Sequence, residues 1–231
     1  MDRSVDAFAA RAHAGPPKRL GQRYDAERFL PDPGNTVVCH LDLEAEGGRA
    51  VAAARAAMMA LPGADRFLFT PLESLHMTVF EGVLDNRRVA DAWPGWIERD
   101  ASVEDVTEAM VARLAGFEGP GGFAVRVAAV RPGGLMLRGA TDADEAVLWA
   151  WREALAKAFG YRQAEHDAYA FHMTFAYPVA WLSDDLVEVW EKGLARIGAA
   201  LAAAAPVVPL HAPAFCRFAD MTRFEELVGL G

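Results

Sequence analysis

The chain has 231 residues, 53% of them hydrophobic, with six Trp and a formal net charge of −9. That length and apolar content support a substantial packed core and exclude a disordered chain. The acidic balance makes a poor platform for duplex DNA or long RNA, whose affinity rests on neutralised phosphates; a small anion held in a locally positive cleft is not excluded.

No stretch approaches the roughly 20 consecutive apolar residues of a membrane span, so no membrane partner is expected. The opening residues, Met1 to Asp6, lack the charged-then-apolar layout of a signal peptide. Cys39 and Cys216 lie far apart, each inside an apolar strand-like run. They read as buried free thiols, which points to a cytoplasmic chain. Twenty of the 23 basic residues are Arg, a bias that genome composition explains as readily as phosphate recognition.

In chain order, residues 2–13 suit a short helix that Gly15-Pro16-Pro17 breaks. Residues 18–34, with Gly21, Tyr24, Pro31, Pro33 and Gly34, suggest an extended arm with turns, so 1–34 forms an N-terminal arm. Thr36 to Leu43 predicts the first strand, with Val37, Cys39, Leu41 and Leu43 on one face and Val38, His40 and Asp42 on the other. A helix follows from about Arg49 to Leu61, then a strand over 66–70, a turn over 71–74 and a second strand containing His76. Trp93 and Trp96, in the connection over 81–100, either cap an open core edge or form a lid near a cleft.

Ser102 with Asp105 three residues on predicts a helix N-cap, the helix running to about Leu114. Gly119 to Gly122 marks the best boundary between two halves, near 117–122. Phe123 to Val130 and Leu135 to Arg138 flank Arg131-Pro132-Gly133-Gly134, a hairpin signal. Arg126 and Arg138 then sit on the reverse faces of neighbouring strands, either feeding positive charge to an anion or simply solvated. Thr141 starts a helix ending near Phe159-Gly160, striped by Val147, Trp151, Leu155 and Phe159. A strand over 168–177 contains His172. Ser183 caps a long helix reaching the Ala-rich stretch before Pro206; Val207 to Phe218 supplies one or two closing strands and Phe224 to Leu227 a final turn.

Two tripeptides stand out: His76-Met77-Thr78 and His172-Met173-Thr174, 96 residues apart. Alternation along a strand puts each His and its Thr on one face. Leu75, Met77 and Val79, like Phe171, Met173 and Phe175, then fill the other. One such motif signals little, but two matched strands deliver the same polar pair twice. His40 points the same way as the two motif histidines and either touches ligand or is structural.

These paired motifs, in Ser74–Gly82 and Tyr169–Tyr177, resemble those of the 2H phosphoesterase superfamily, named for two His-x-Thr/Ser motifs on opposed strands. The spacing alone argues for an α+β chain with possible duplication. The resemblance implies one bilobal domain over 1–231, with two antiparallel sheets around a central cleft and helices outside. It also implies a substrate class: 2′,3′-cyclic phosphates of nucleotides or RNA ends, hence RNA processing. His76 and His172 would be the acid–base pair, with Thr78 and Thr174 contacting phosphate; which histidine is acid and which is base stays open. A nucleotide-binding or sensing module without robust turnover keeps the same residues.

Imidazole, with a pKa of about 6.5, gives or takes a proton near neutrality. Two of ordinary value predict a bell-shaped pH profile with limbs on the order of pH 5.5 to 7.5. No third ligand accompanies them at metal-site spacing, the nearest stray candidates being His166 and Asp167, so no metal and no cofactor are expected. The chain is expected to act as a monomer.

Overall fold

The computed structural model describes residues 5–231. The elements in order are β1 (Gly34–His40), α1 (Glu46–Met59), β2 (Phe67–Phe69), β3 (His76–Leu84), α2 (Val103–Arg113), β4 (Val125–Arg131), β5 (Gly134–Gly139), α3 (Asp142–Phe159), β6 (His172–Thr174), β7 (Ala176–Pro178), α4 (Val187–Ala204), β8 (Ala214–Phe218) and β9 (Glu225–Gly229). The fold is α+β with two antiparallel sheets: a seven-stranded one ordered β4-β5-β6-β3-β1-β8-β9, and a small one pairing β2 with β7.

The large sheet buries one face under the helices. Val37, Cys39 and Leu41 share a single core cluster with Met77, Val79, Leu135, Leu137, Met173 and the inner faces of all four helices. The alternation read in β1 therefore holds, and its other face behaves differently. There Val38 joins Ala214, Cys216, Phe218, Met221 and Phe224 in a second, smaller cluster.

The two motif strands meet at one residue pair, Met77 opposite Met173. On one side stand β6, β5 and β4; on the other, β3, β1, β8 and β9. The division near 117–122 is thus not a clean cut, because the last two strands return to the side that β1 and β3 begin. Pairing β8 onto β1 removes an edge that would otherwise expose unmade ladder bonds. The C-terminal turn expected over 224–227 is in fact strand β9, paired with β8.

Other boundaries shift for local reasons. Residues 2–4 of the first expected helix lie outside the described residues; its remainder forms two short 3₁₀ turns, Asp6–Phe8 and Ala10–Ala12. Helix α1 starts three residues before the expected Arg49 and runs through Gly47 and Gly48. At Gly48 a Cβ would lie 1.7 Å from the Asp42 carbonyl oxygen, so only glycine lets the helix pack that close to the chain leaving β1. The predicted caps form: Ser102 accepts from the Asp105 N–H, and Thr141 with Asp144 makes a reciprocal capping box. Trp93 and Trp96 cap the core, their indole N–H groups donating to the carbonyls of Glu98 and Phe159.

Candidate active site

The motif strands are pinned by backbone bonds on both flanks. Leu41 N–H bonds to the Leu75 carbonyl, Leu137 N–H to Phe171, and Phe175 N–H to Gly133. Gly134 faces Thr174 with φ +140, and a Cβ there would sit 2.1 Å from the Met173 carbonyl oxygen; glycine is what lets β5 lie against β6. β6 is only three residues long because the chain changes sheets at Phe175, leaving β5 to pair Ala176–Pro178 with β2.

Antiparallel register about the Met77–Met173 pair sets Thr174 beside His76 and His172 beside Thr78. With both Met side chains in the helix-side core, all four polar side chains stand on the opposite face. They line one pocket of about 110 Å³, together with Arg23, Asn35, Thr36, Glu81, Arg87, Tyr169, Tyr177, Phe218, Met221 and Phe224. One water needs roughly 10–15 Å³, so this space suits a phosphoryl group and its immediate neighbours. A larger groove of about 480 Å³ between α1 and α4 is lined mainly by alanines, with Arg196 its one charged side chain. It offers no group that exchanges protons near neutrality.

The two imidazoles are held in the same way. His76 Nδ1 lies 2.6 Å from the Ser74 carbonyl oxygen and His172 Nδ1 lies 2.8 Å from that of Ala170. A carbonyl only accepts, so in both rings Nδ1 carries the hydrogen and Nε2 is the free nitrogen. Each histidine is oriented by the backbone two residues before it.

Their surroundings differ. His76 is half-buried under Phe224, whose ring centroid is 4.0 Å away, and the His40 ring is 6.4 Å off. Burial chiefly, with His40 and His172 adding repulsion, lowers its pKa to about 4 despite the bond to Ser74. His76 is therefore neutral at pH 7. His172 is exposed, 6.1 Å from the Tyr169 ring.

Three sequence candidates stand apart from this group. His40 does not line the pocket; it stands at the opposite end of β1 from Asn35 and Thr36, which do, and its Nε2 lies 3.7 Å from Cys216 Sγ. Arg126 and Arg138 are direct cross-strand partners on β4 and β5. They share the His172 face, since Met136 pairs with His172 and Arg138 is two residues on. They nevertheless lie too far along the sheet to line the pocket.

His166 and Asp167, the stray metal candidates, form a group with Glu153 whose ligand atoms fall within 4.8 Å of one another. Arg162 already pairs with both carboxylates, and none of the three lines the pocket.

Sequence reasoning missed Tyr169, Tyr177, Arg23 and Arg87. Tyr169 precedes the second motif by three residues, and its buried hydroxyl lies beside the Thr78 side chain without a hydrogen bond of good geometry among the described residues. Burial raises its pKa, so the phenol stays protonated and available as a donor. The Arg152 guanidinium, itself fully buried, lies 3.9 Å from the Tyr169 ring centroid and donates to the Val79 carbonyl. Arg23 and Arg87 arrive from the arm and from the turn after β3, which periodicity does not reach.

A solved structure covers the whole chain: the crystal structure of the conserved protein of unknown function ATU0111 from Agrobacterium tumefaciens str. C58. It is 39% identical, with a TM-score of 0.98 over 100% of both chains. No curated protein matches. The family model 2H-phosphodiest, described as a domain of unknown function (DUF1868), matches residues 23–136, a span that holds the first His-x-Thr motif but stops short of the second. With both motifs facing one pocket and the fold shared end to end with its 39%-identical relative, this chain belongs to the 2H phosphoesterase family.

Proposed function

We propose that this protein hydrolyses a small cyclic or RNA-terminal phosphodiester of the 2′,3′-cyclic phosphate type by paired acid–base catalysis. One observation carries the reading: two imidazoles, each locked by Nδ1 to its own backbone, line a phosphate-sized pocket with two Thr hydroxyls. Membership of a phosphoesterase family supports the reaction class.

His76, neutral and half-buried, is the base. Its Nε2 takes a proton from water as the oxygen attacks phosphorus. The bond from phosphorus to one ribose oxygen breaks, and His172 gives that oxygen its proton. The product is a phosphomonoester, and proton exchange with solvent resets both rings. Thr78 and Thr174 donate to the non-bridging oxygens, whose charge grows in the transition state. Positioned proton transfers of this kind contribute about 10²–10⁴-fold each.

The test is turnover of 2′,3′-cyclic nucleotides and cyclic-phosphate RNA ends by purified protein, with no metal added. Hydrolysis that His76→Ala and His172→Ala each abolish supports the reading. Tight nucleotide binding with no product from any substrate would make the pocket a sensing module instead.

A further inference from the structure

The pocket has a basic end that the four His and Thr side chains leave unused. Arg23 and Arg87 line it alongside Tyr177. Arg19 lines an adjoining groove that shares Tyr177 and lies within electrostatic reach of both other guanidinium groups. Three like charges gathered at one end of the pocket on a protein of net charge −9 call for a reason, because their mutual repulsion costs stability unless an anion offsets it.

The neighbouring acids do not fully supply that anion. Asp32 is buried and binds Arg23 through Nε, while also accepting from Asn86. Glu81 meets Arg87 Nη1 only at 3.4 Å. Arg87 Nε is buried with no partner, and Arg19 makes no ion pair, among the described residues. Two carboxylates thus face three guanidinium groups.

The arm that carries Arg19 and Arg23 is fixed in place. Tyr24 is buried, donates its hydroxyl to the Pro178 carbonyl and packs its ring 5.1 Å from Tyr177. Asp32 N–H bonds to the Ala219 carbonyl, and Gly21 and Leu30 bond back to Tyr24 and Arg23. The arm ties the end of β7 to the turn after β8, and this fold-back sets Arg23 in the pocket wall.

We infer that Arg19, Arg23 and Arg87 form a subsite for a second phosphoryl group, so that the substrate is a cyclic phosphodiester bearing a further terminal phosphate. Guanidinium forks match phosphate oxygens in geometry and charge. The inference rests on the reaction proposed above, and it adds the substrate's second charged group.

The experiment compares kcat/KM for uridine 2′,3′-cyclic phosphate carrying a 5′-hydroxyl, 5′-phosphate or 5′-diphosphate. One or both phosphorylated forms should be favoured roughly 10- to 100-fold, as one or two charge-assisted hydrogen bonds to phosphate predict. That preference should fall to within about threefold of unity in Arg19→Ala and Arg87→Gln, and weaken in wild type as salt rises. Arg23→Lys serves as a third variant that keeps a charge beside buried Asp32. Equal kcat/KM for the three substrates overturns the subsite while leaving the hydrolase reading intact. Arginine variants that slow all three by the same factor overturn it too, since the guanidinium groups would then serve the scissile phosphate.

If none of the three is turned over, calorimetry with uridine 2′,5′-bisphosphate and uridine 2′-monophosphate decides separately. Tighter binding of the bisphosphate, lost in Arg19→Ala, sustains the subsite. Equal or absent binding ends it.

Discussion

Met77 lies directly opposite Met173, and through that pair the two motif strands join. Both side chains are fully buried in the helix-side core, so the register that aligns the four His and Thr side chains is enforced from behind them. A one-residue slip of β6 would turn His172 and Thr174 into the core and leave His76 facing the pocket alone. Met173→Ala should cost about 2–5 kcal/mol, the usual range for a truncated core methionine. Met173→Leu should cost less than about 1.5 kcal/mol. Denaturant unfolding measures both. Because the pair also positions the imidazoles, Met173→Ala should lower turnover per folded molecule, and full activity in the folded variant would mean that the seam does not set the site.

The proposed acid–base pair makes a kinetic prediction. His76→Ala and His172→Ala should each reduce kcat/KM at least about 10²-fold, and the double variant should lose much less than the product of the two. Thr78→Ala and Thr174→Ala should cost roughly tenfold to a hundredfold, as for one lost transition-state donor. Folded histidine variants that keep wild-type rates on a confirmed substrate would remove the mechanism.

Much of this site was legible because strand alternation is a strong local signal. His76, Thr78, His172 and Thr174 could be placed on one face from spacing alone, with Met77 and Met173 turned inward. Alternation fixes the face, yet it says nothing of distance along the sheet. That is why Arg126 and Arg138 read as candidates although they lie outside the pocket, and why His40 reaches only to Cys216. The opposite failure concerns Arg23 and Arg87. They sit in an arm and a turn, where no period exists, and contacts distant in sequence, such as Tyr24 with Pro178, decide their positions. Strand β9 escaped for a different reason: its pairing with β8 is local, but Glu225–Gly229 carries no apolar alternation to announce a strand.

Tyr169 offers a test that separates stability from function. Its buried hydroxyl has only Thr78 within reach and makes no hydrogen bond of good geometry among the described residues, so Tyr169→Phe should change stability by less than about 1 kcal/mol. If that hydroxyl meets the substrate phosphate, kcat/KM should fall about tenfold. Thermal unfolding and steady-state kinetics on one preparation separate the effects. A stability loss above about 1 kcal/mol would show instead that the hydroxyl has a protein partner in solution.

The low pKa of His76 moves the acid limb of the rate profile. Two ordinary histidines would place both limbs between about pH 5.5 and 7.5, but burial holds His76 near 4. The base must be neutral, so kcat/KM, which reports the free enzyme, should stay level down to about pH 5 and fall as pH drops through about 4. A bound phosphate anion beside the ring favours imidazolium, so the acid limb of kcat should lie at higher pH than that of kcat/KM. Stability follows the same group. The folded pKa lies below the unfolded 6.5, so the unfolded chain binds more protons between the two values; the contribution is present above about pH 6.5 and is lost as pH falls towards 4. Phe224→Ala uncovers the ring and should raise the acid limb of kcat/KM towards the ordinary histidine value. An acid limb already near 6.5 in wild type, unmoved by Phe224→Ala, would show that His76 is not the buried base.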